Sequence, residues 1–308
     1  MLKSGSSTPS APRAINFYTP TFKAYSTSEI AACGKSAWPA VSISGGACKL
    51  QCDHCKAKVL EPMIPATTPE ALWRVVNEQI ALGAKGMLLT GGSNHRDEVE
   101  YGPFLPVVRR VKDAHPAFRI AIHTALTDRA GARAMEAAGV DTAMMDVIGA
   151  DATIREVYHL DRPVEDFERS LETLAATSMK VVPHIVIGLH YGRMLGEWRA
   201  LEMIARHRPA ALVLVVVMPF YAPAGRPFAT PSSREVGSFF LDARAAPAID
   251  RLVLVTHDKD IPVLGGQQVE QVVLDPVGVL ILIHQQIANF VLPALADFFI
   301  ALQQQRRQ

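Results

Sequence analysis

Six short apolar runs, each followed by an amphipathic stretch, constrain the fold of this 308-residue chain more than any other feature. They are Val41–Ser44, Gly86–Thr90, Phe118–His123, Val140–Asp146, Lys180–Ile187 and Ala211–Met218. Strands separated by helices run parallel, because a helical crossover returns the chain to the same end of the sheet. The last run, Ala-Leu-Val-Leu-Val-Val-Val-Met, is apolar on both faces. That suits a strand covered by helices outside and by packed side chains inside.

Between the runs the 3.6-residue period predicts helices. The first takes Thr68 as N-cap and Pro69 at the first helical position. It places Leu72, Val75, Val76 and Ile80 on one face and stops at Gly83. Others are expected over 104–114, 128–138, 164–176 and 194–206. The order predicts an α/β fold, a partial (β/α)6 barrel of the TIM type, with reacting groups at the carboxyl ends of the strands. Residues 1–16 are Ser/Pro-rich and read as a disordered tail, 17–245 as the barrel core, and 246–308 as an atypical C-terminal extension. In the extension, Leu252–Thr256 is apolar and the Gln-rich remainder carries Gly278–Ile283 and Phe290–Leu302. His284, Gln285, Gln286, Asn289 and Asp297 interrupt it, so it does not read as a membrane span. A polar-studded helix over the barrel mouth is one reading of this extension; a departure of the reading frame is another.

The first run delivers Cys48-Lys-Leu-Gln-Cys52-Asp-His-Cys55, a C-x3-C-x2-C triplet directly after Gly45-Gly46. Three thiolates hold three irons of a four-iron cluster and leave one iron open, the arrangement that distinguishes a catalytic metal site from a structural one. A zinc site recruiting His54 is the competing reading, although His54 lies between two of its would-be partners. A disulfide framework is not expected, with four cysteines in the chain and no secretory leader in its N-terminal sequence. Cys33, the remaining cysteine, reads as a small apolar residue.

A net charge of +1 gives no reason to expect nucleic acid or an anionic membrane as partner. The cluster Arg109, Arg110 and Lys112 reads as a solvated helix face. A cytoplasmic location is expected.

The triplet's spacing resembles the signature of the radical S-adenosylmethionine enzymes. The resemblance implies a 4Fe-4S cluster on Cys48, Cys52 and Cys55, with S-adenosyl-L-methionine on the open iron and reductive cleavage to a 5′-deoxyadenosyl radical. In that family the residue before the third cysteine is usually aromatic; here it is His54. Gly91, Gly92 and Ser93, ending the second run, resemble the Gly-Gly-Glu-type motif that holds the methionine end, though a Gly-Gly pair also serves as a plain turn. His123 with Thr124, and Asp146, end the third and fourth runs, where substrate or the cofactor's ribose is expected. Asp146 also fits a loop or N-cap carboxylate. Ile187 and Gly188, flanked by His184 and His190, resemble the apolar-Gly motif against adenine, while His184 alone fits a core histidine. Met218 with Pro219 is expected over the adenine or in the core.

Within Phe17–Pro219, Ile43–Cys48, Tyr158–Arg162 and His184–His190 look like the biotin synthase and lipoyl synthase branch, nearest the two-component lipoyl synthases. Tyr158, His159 and Asp161 are the cofactor-side candidates there. The resemblance implies hydrogen abstraction from an unactivated C–H bond followed by sulfur insertion. It also implies an electron donor (ferredoxin or flavodoxin) and either a second radical enzyme subunit or a lipoyl-carrier protein substrate. Sulfur insertion consumes a second cluster, for which Cys33 alone is too little. A carbon-skeleton rearrangement like that of methylornithine synthase relatives therefore stands as an alternative, beside a metal-binding scaffold subunit without turnover.

Overall fold

The computed structural model describes residues 38–217, 228–229, 231–249 and 252–255. The predicted disordered tail, Cys33, Met218 with Pro219, and the stretch from residue 256 onward lie outside the described residues.

The sheet is parallel throughout. Its strands are β1 (Ala40–Ser42), β2 (Ile64–Pro65), β3 (Gly86–Thr90), β4 (Arg119–His123), β5 (Thr142–Asp146), β6 (Lys180–Ile187), β7 (Leu212–Val216) and β8 (Leu252–Val255). In space they run β2-β1-β3-β4-β5-β6-β7-β8. Six of them are the apolar runs, and β2 and β8 extend the sheet at its two edges. Among the described residues no pairing joins β8 to β2, so the sheet is a partial barrel. The helices are α1 (Pro69–Ala81), α2 (Leu105–Ala114), α3 (Arg129–Ala137), α4 (Asp151–Glu156), α5 (Val164–Ala175), α6 (Glu197–Ala205) and α7 (Ser233–Ala245). α1 packs on α2, α2 on α3, α3 on α5, α5 on α6 and α6 on α7, a layer that follows the strand order.

Local chemistry sets the helix ends. Thr68 Oγ1 accepts the Ala71 amide at 3.1 Å and Pro69 fills the first helical position, as the sequence predicts. Gly83, past the end of α1, takes a left-handed φ of 93°. Asp128 caps α3 through the Gly131 amide, and Ser232 with Glu235 forms a capping box on α7. α6 starts at Glu197, three residues later than expected, because residues 188–196 form a loop in which Gly188 and Gly192 have positive φ.

The core lies between helices and sheet. Leu72, Val75 and Val76 of α1 and Phe167, Leu171 and Leu174 of α5 are buried at helical spacing, each worth about 1.5–3 kcal/mol. Lys112 departs from the solvated face expected of it. Its ammonium donates to Asp141 Oδ2 at 2.9 Å and to the Phe118 carbonyl at 2.8 Å, and Asp141 also accepts from Arg119 and the Ile120 amide. This knot ties α2 to the amino ends of β4 and β5. Arg110 stacks over the Trp73 ring, 3.8 Å from its centroid. Among the described residues no helix is long and apolar enough to cross a membrane.

Candidate active site at the carboxyl ends of the strands

The cysteine loop leaves β1 and is held on two sides. On one side it meets the Gly91–Ser93 segment that follows β3. Gly92 donates its amide to Ser44 Oγ at 2.7 Å, Lys49 donates to the Ser93 carbonyl at 2.9 Å, and Cys48 Sγ lies 3.8 Å from that same oxygen. A Cβ on Gly92 would fall 2.0 Å from the Ala47 carbonyl oxygen and 2.5 Å from Cys48 Cα, so only glycine permits this approach.

On the other side Asp53, between the second and third cysteines, is buried and gathers three partners. Lys56 Nζ donates to Oδ1 at 2.5 Å, His159 Nε2 lies 3.0 Å from the same oxygen, and Tyr191 donates its hydroxyl to Oδ2 at 2.8 Å. Burial opposes the charge, but these partners hold the carboxyl down at about 2. Asp53 thereby stitches the loop to the segments after α4 and β6.

The thiols themselves form a coupled set. Cys52 is buried, while Cys48 and Cys55 are partly accessible. Hydrogen bonding to Cys55 and burial push the Cys52 thiol up, and the same hydrogen bond, aided by His54, draws Cys55 down. Cys52 and Cys55 are thus closely placed, and with Cys48 they make a donor set that fits a thiophilic metal. Behind it, His54 and Tyr158 stack at 5.2 Å, and His54 Nδ1 and the Tyr158 hydroxyl are buried without hydrogen-bond partners. Orphaned polar atoms of this kind call for an explanation such as a bound group.

The interior beyond the loop is polar. His123 ends β4, Asp146 ends β5 and His184 faces Asp146 in the β5–β6 register. His123 Nε2 and His184 Nδ1 each lie 3.8 Å from Asp146 Oδ1, and the two imidazoles stack at 5.4 Å. Burial opposes charge on Asp146, but His123 holds its carboxyl below the usual carboxylate range. Burial pushes His184 down to about 4, whereas Asp146 raises His123 against its own burial. Nearby, buried Asp97 accepts the Ser93 hydroxyl at 2.9 Å, and burial pushes its carboxyl up to about 6.

The structure therefore brings together Cys48, Cys52, Cys55, Gly92, Ser93 and Tyr158 around one loop, with His123, Asp146 and His184 in a neighbouring cluster. Gly91 packs under Ile43 and Val99. His159 anchors Asp53 rather than lining the interior, and Asp161 is exposed. Ile187 is fully buried in the core. Gly188 has φ of 79° and donates to Glu197 Oε1, and a Cβ there would meet Pro231 at 2.5 Å, so packing alone accounts for its lack of side chain. His190 is buried beside Thr153. Asp53, Tyr191 and Asp97 escape sequence reasoning, since their partners come from distant segments. Two of them, Asp97 and Tyr191, carry backbone strain. Of the eight described non-glycine residues with positive φ, all but Arg208 follow a strand on this face: Gln51, Lys56, Ala57, Asp97, Ala125, His159 and Tyr191. Each costs on the order of 1 kcal/mol or more, and such residues cluster where function imposes them.

No protein-family model matches the sequence, and no curated protein matches it. Among solved structures the fold is similar to that of HydG, a maturase of the FeFe-hydrogenase, with TM-score 0.55 and 16% identity over 72% of this chain and 52% of that one. It is similar to SuiB of Streptococcus suis bound to S-adenosylmethionine, with TM-score 0.52 and 10% identity over 72% and 50%. It is also similar to methylornithine synthase (PylB), with TM-score 0.51 and 14% identity over 70% of each chain. The match spans about half the length of HydG and SuiB. At these identities the likeness is one of fold.

Proposed function

We propose that this chain is a radical S-adenosylmethionine enzyme acting on an unactivated C–H bond. The observation that carries the reading is the docking of a C-x3-C-x2-C loop against Gly92 at the carboxyl end of a partial parallel barrel. A fold shared with SuiB bound to S-adenosylmethionine adds support. Cys48, Cys52 and Cys55 would hold a 4Fe-4S cluster. When bound, that cluster supplies the electron for reductive cleavage of S-adenosylmethionine, chemistry that belongs to the cofactor and not to the protein.

The chain's own part is placement. Asp53 fixes the middle of the loop through Lys56, His159 and Tyr191, so the three sulfurs keep their spacing. Gly91, Gly92 and Ser93 bring backbone amides and carbonyls against Cys48, beside which the methionine end of the cofactor is assigned. Tyr158 and His54 offer an orphaned hydroxyl and ring nitrogen to the same region.

The finer reading is sulfur insertion of the lipoyl synthase type, supported by the Ile43–Cys48 and Tyr158–Arg162 segments. It needs a sulfur source from a partner, since Cys33 is the one cysteine left over. A carbon-skeleton rearrangement needs no such source, and this favours it as a second reading. An electron donor of the ferredoxin or flavodoxin type is part of both.

The test is anaerobic reconstitution, followed by S-adenosylmethionine and dithionite, with and without an octanoylated lipoyl-carrier protein. The expected result is about four irons per chain and 5′-deoxyadenosine, with both lost on replacing any of the three cysteines by Ala. A colourless protein holding one zinc in a closed four-ligand shell would refute the proposal. Thioether formation on the carrier protein separates insertion from rearrangement.

A further inference from the structure

His123, Asp146 and His184 come from three adjacent strands, and one ligand atom from each lies within 4.8 Å of the other two. The separations from Asp146 to both imidazoles, 3.8 Å, are too long for hydrogen bonds. Among the described residues none of these three side chains makes a hydrogen bond to another group. Three strong ligand atoms thus lie close together at distances too long for hydrogen bonds among them. A cation at the centre of that triangle would lie about 2.5 Å from each ligand atom, against the roughly 2.0–2.2 Å of zinc–nitrogen and zinc–oxygen bonds. Closing the difference takes side-chain shifts of a few tenths of an ångström. Strands rather than loops carry all three residues, His123 and Asp146 at the ends of β4 and β5 and His184 within β6, so the triad is held rigidly.

The charge balance of the interior points the same way. Asp97 and Asp146 are both on this face, and Arg162 is a fixed cation that acts on Asp97. Arg162 is itself engaged by Asp166 at 2.9 Å and Glu98 at 3.6 Å. Beyond Arg162, the countercharge to these carboxylates comes chiefly from His123, and a bound cation would add to it.

We propose that His123 Nε2, the Asp146 carboxylate and His184 Nδ1 form a second metal site, a two-histidine, one-carboxylate triad for a divalent first-row transition ion. Such a triad leaves coordination positions open. Here they face the barrel interior, so the ion would bind and orient a substrate oxygen or nitrogen. This assigns His123 and Asp146 an occupant other than the ribose of a nucleotide. The site is distinct from the cysteine loop and does not rest on the reading given for it.

Co2+ is the probe. The full chain is prepared in two states, reconstituted anaerobically with iron and sulfide, and with all three cysteines replaced (C48A/C52A/C55A). Each is equilibrated with Co2+ and passed through gel filtration, and metals are counted. One cobalt per chain is expected in both states. X-ray absorption at the cobalt edge should give nitrogen and oxygen neighbours with the multiple-scattering pattern of imidazole and no sulfur. His184→Ala and Asp146→Asn should each weaken cobalt binding at least roughly tenfold, with iron content unchanged. No retained cobalt in either state overturns the proposal. So does a sulfur-containing or imidazole-free shell, or a folded His184→Ala protein that binds as tightly as its parent. Should a variant fail to fold, the absorption spectrum of the parent decides alone. Absence of iron in the reconstituted state with cobalt retained would refute the radical enzyme and leave this site standing.

Discussion

A single methyl group on Gly92 should dislodge the cysteine loop. In Gly92→Ala the new carbon would sit 2.0 Å from the Ala47 carbonyl oxygen, 2.5 Å from Cys48 Cα and 2.6 Å from Cys48 Cβ. Two of the three are backbone atoms, so no side-chain rotation relieves the overlap. The loop and the Gly91–Ser93 segment must part by about 1 Å, an overpacking cost of about 1–3 kcal/mol. That movement also strains the Gly92–Ser44 and Lys49–Ser93 hydrogen bonds, worth about 1 kcal/mol each. The total, about 3–5 kcal/mol, is a large part of the stability of an ordinary domain. In a chain of this size it lowers Tm by roughly 10 °C. Gly46→Ala is the matched control, since no atom lies within 4 Å of its added carbon. The assay pairs a thermal melt with iron counting after reconstitution. Gly92→Ala should lose both stability and iron, and Gly46→Ala neither. A Gly92→Ala protein that melts with the wild type and takes up a full cluster would refute the docking argument.

Other perturbations reach separate parts of the structure. Asp53→Ala removes three hydrogen bonds at a buried carboxylate and should cost about 2–3 kcal/mol, read as a lower urea midpoint and reduced iron loading. Tyr158→Phe deletes a buried hydroxyl with no partner, so the metal-free protein should melt no lower than wild type while S-adenosylmethionine binding, read by calorimetry on the reconstituted protein, weakens. Asp141→Asn should cost about 2 kcal/mol at neutral pH. Burial opposes its charge, yet Lys112, the Ile120 amide and Arg119 lower its folded pKa. Its contribution is therefore complete above the unfolded carboxylate value, about 3.9, and is lost as pH falls below it. Urea midpoints of wild type and Asp141→Asn should accordingly converge as the pH drops from 5 toward 3, and a constant gap would contradict this account.

Much of the fold is legible locally. The bounds of β3 and β6, and the Thr68-Pro69 start and Gly83 stop of α1, coincide with the sequence reading because their signals sit within a few residues of each other. Three elements lie outside that reading, two of them for identifiable reasons. α4 has six residues, too few for a period to emerge. β2 has two, and its strand character comes from pairing with β1. The third, α7, has no such reason: its capping box, Ser232 and Glu235, lies within three residues of sequence and is absent from that reading. β8 is an apolar run like the others, and its pairing with β7 identifies it as part of the sheet. At the site, the thiols were legible because all three fall within eight residues. His184 reads in isolation as a core histidine, and it is buried. Its proximity to His123 and Asp146 depends on strand register, which a single sequence does not reveal.

The anchors of Asp53 impose a timetable on biosynthesis. His159 and Tyr191 lie 106 and 138 residues downstream of the carboxylate they hold. At ordinary translation speed they emerge on the order of ten seconds later. The thiols leave the ribosome early, yet their scaffold is complete only after the sixth strand has been made and docked. On the proposed function, metal delivery to a correctly spaced trio would be a post-folding event, and a chain truncated before Tyr191 would present its cysteines without the clamp that sets their distances.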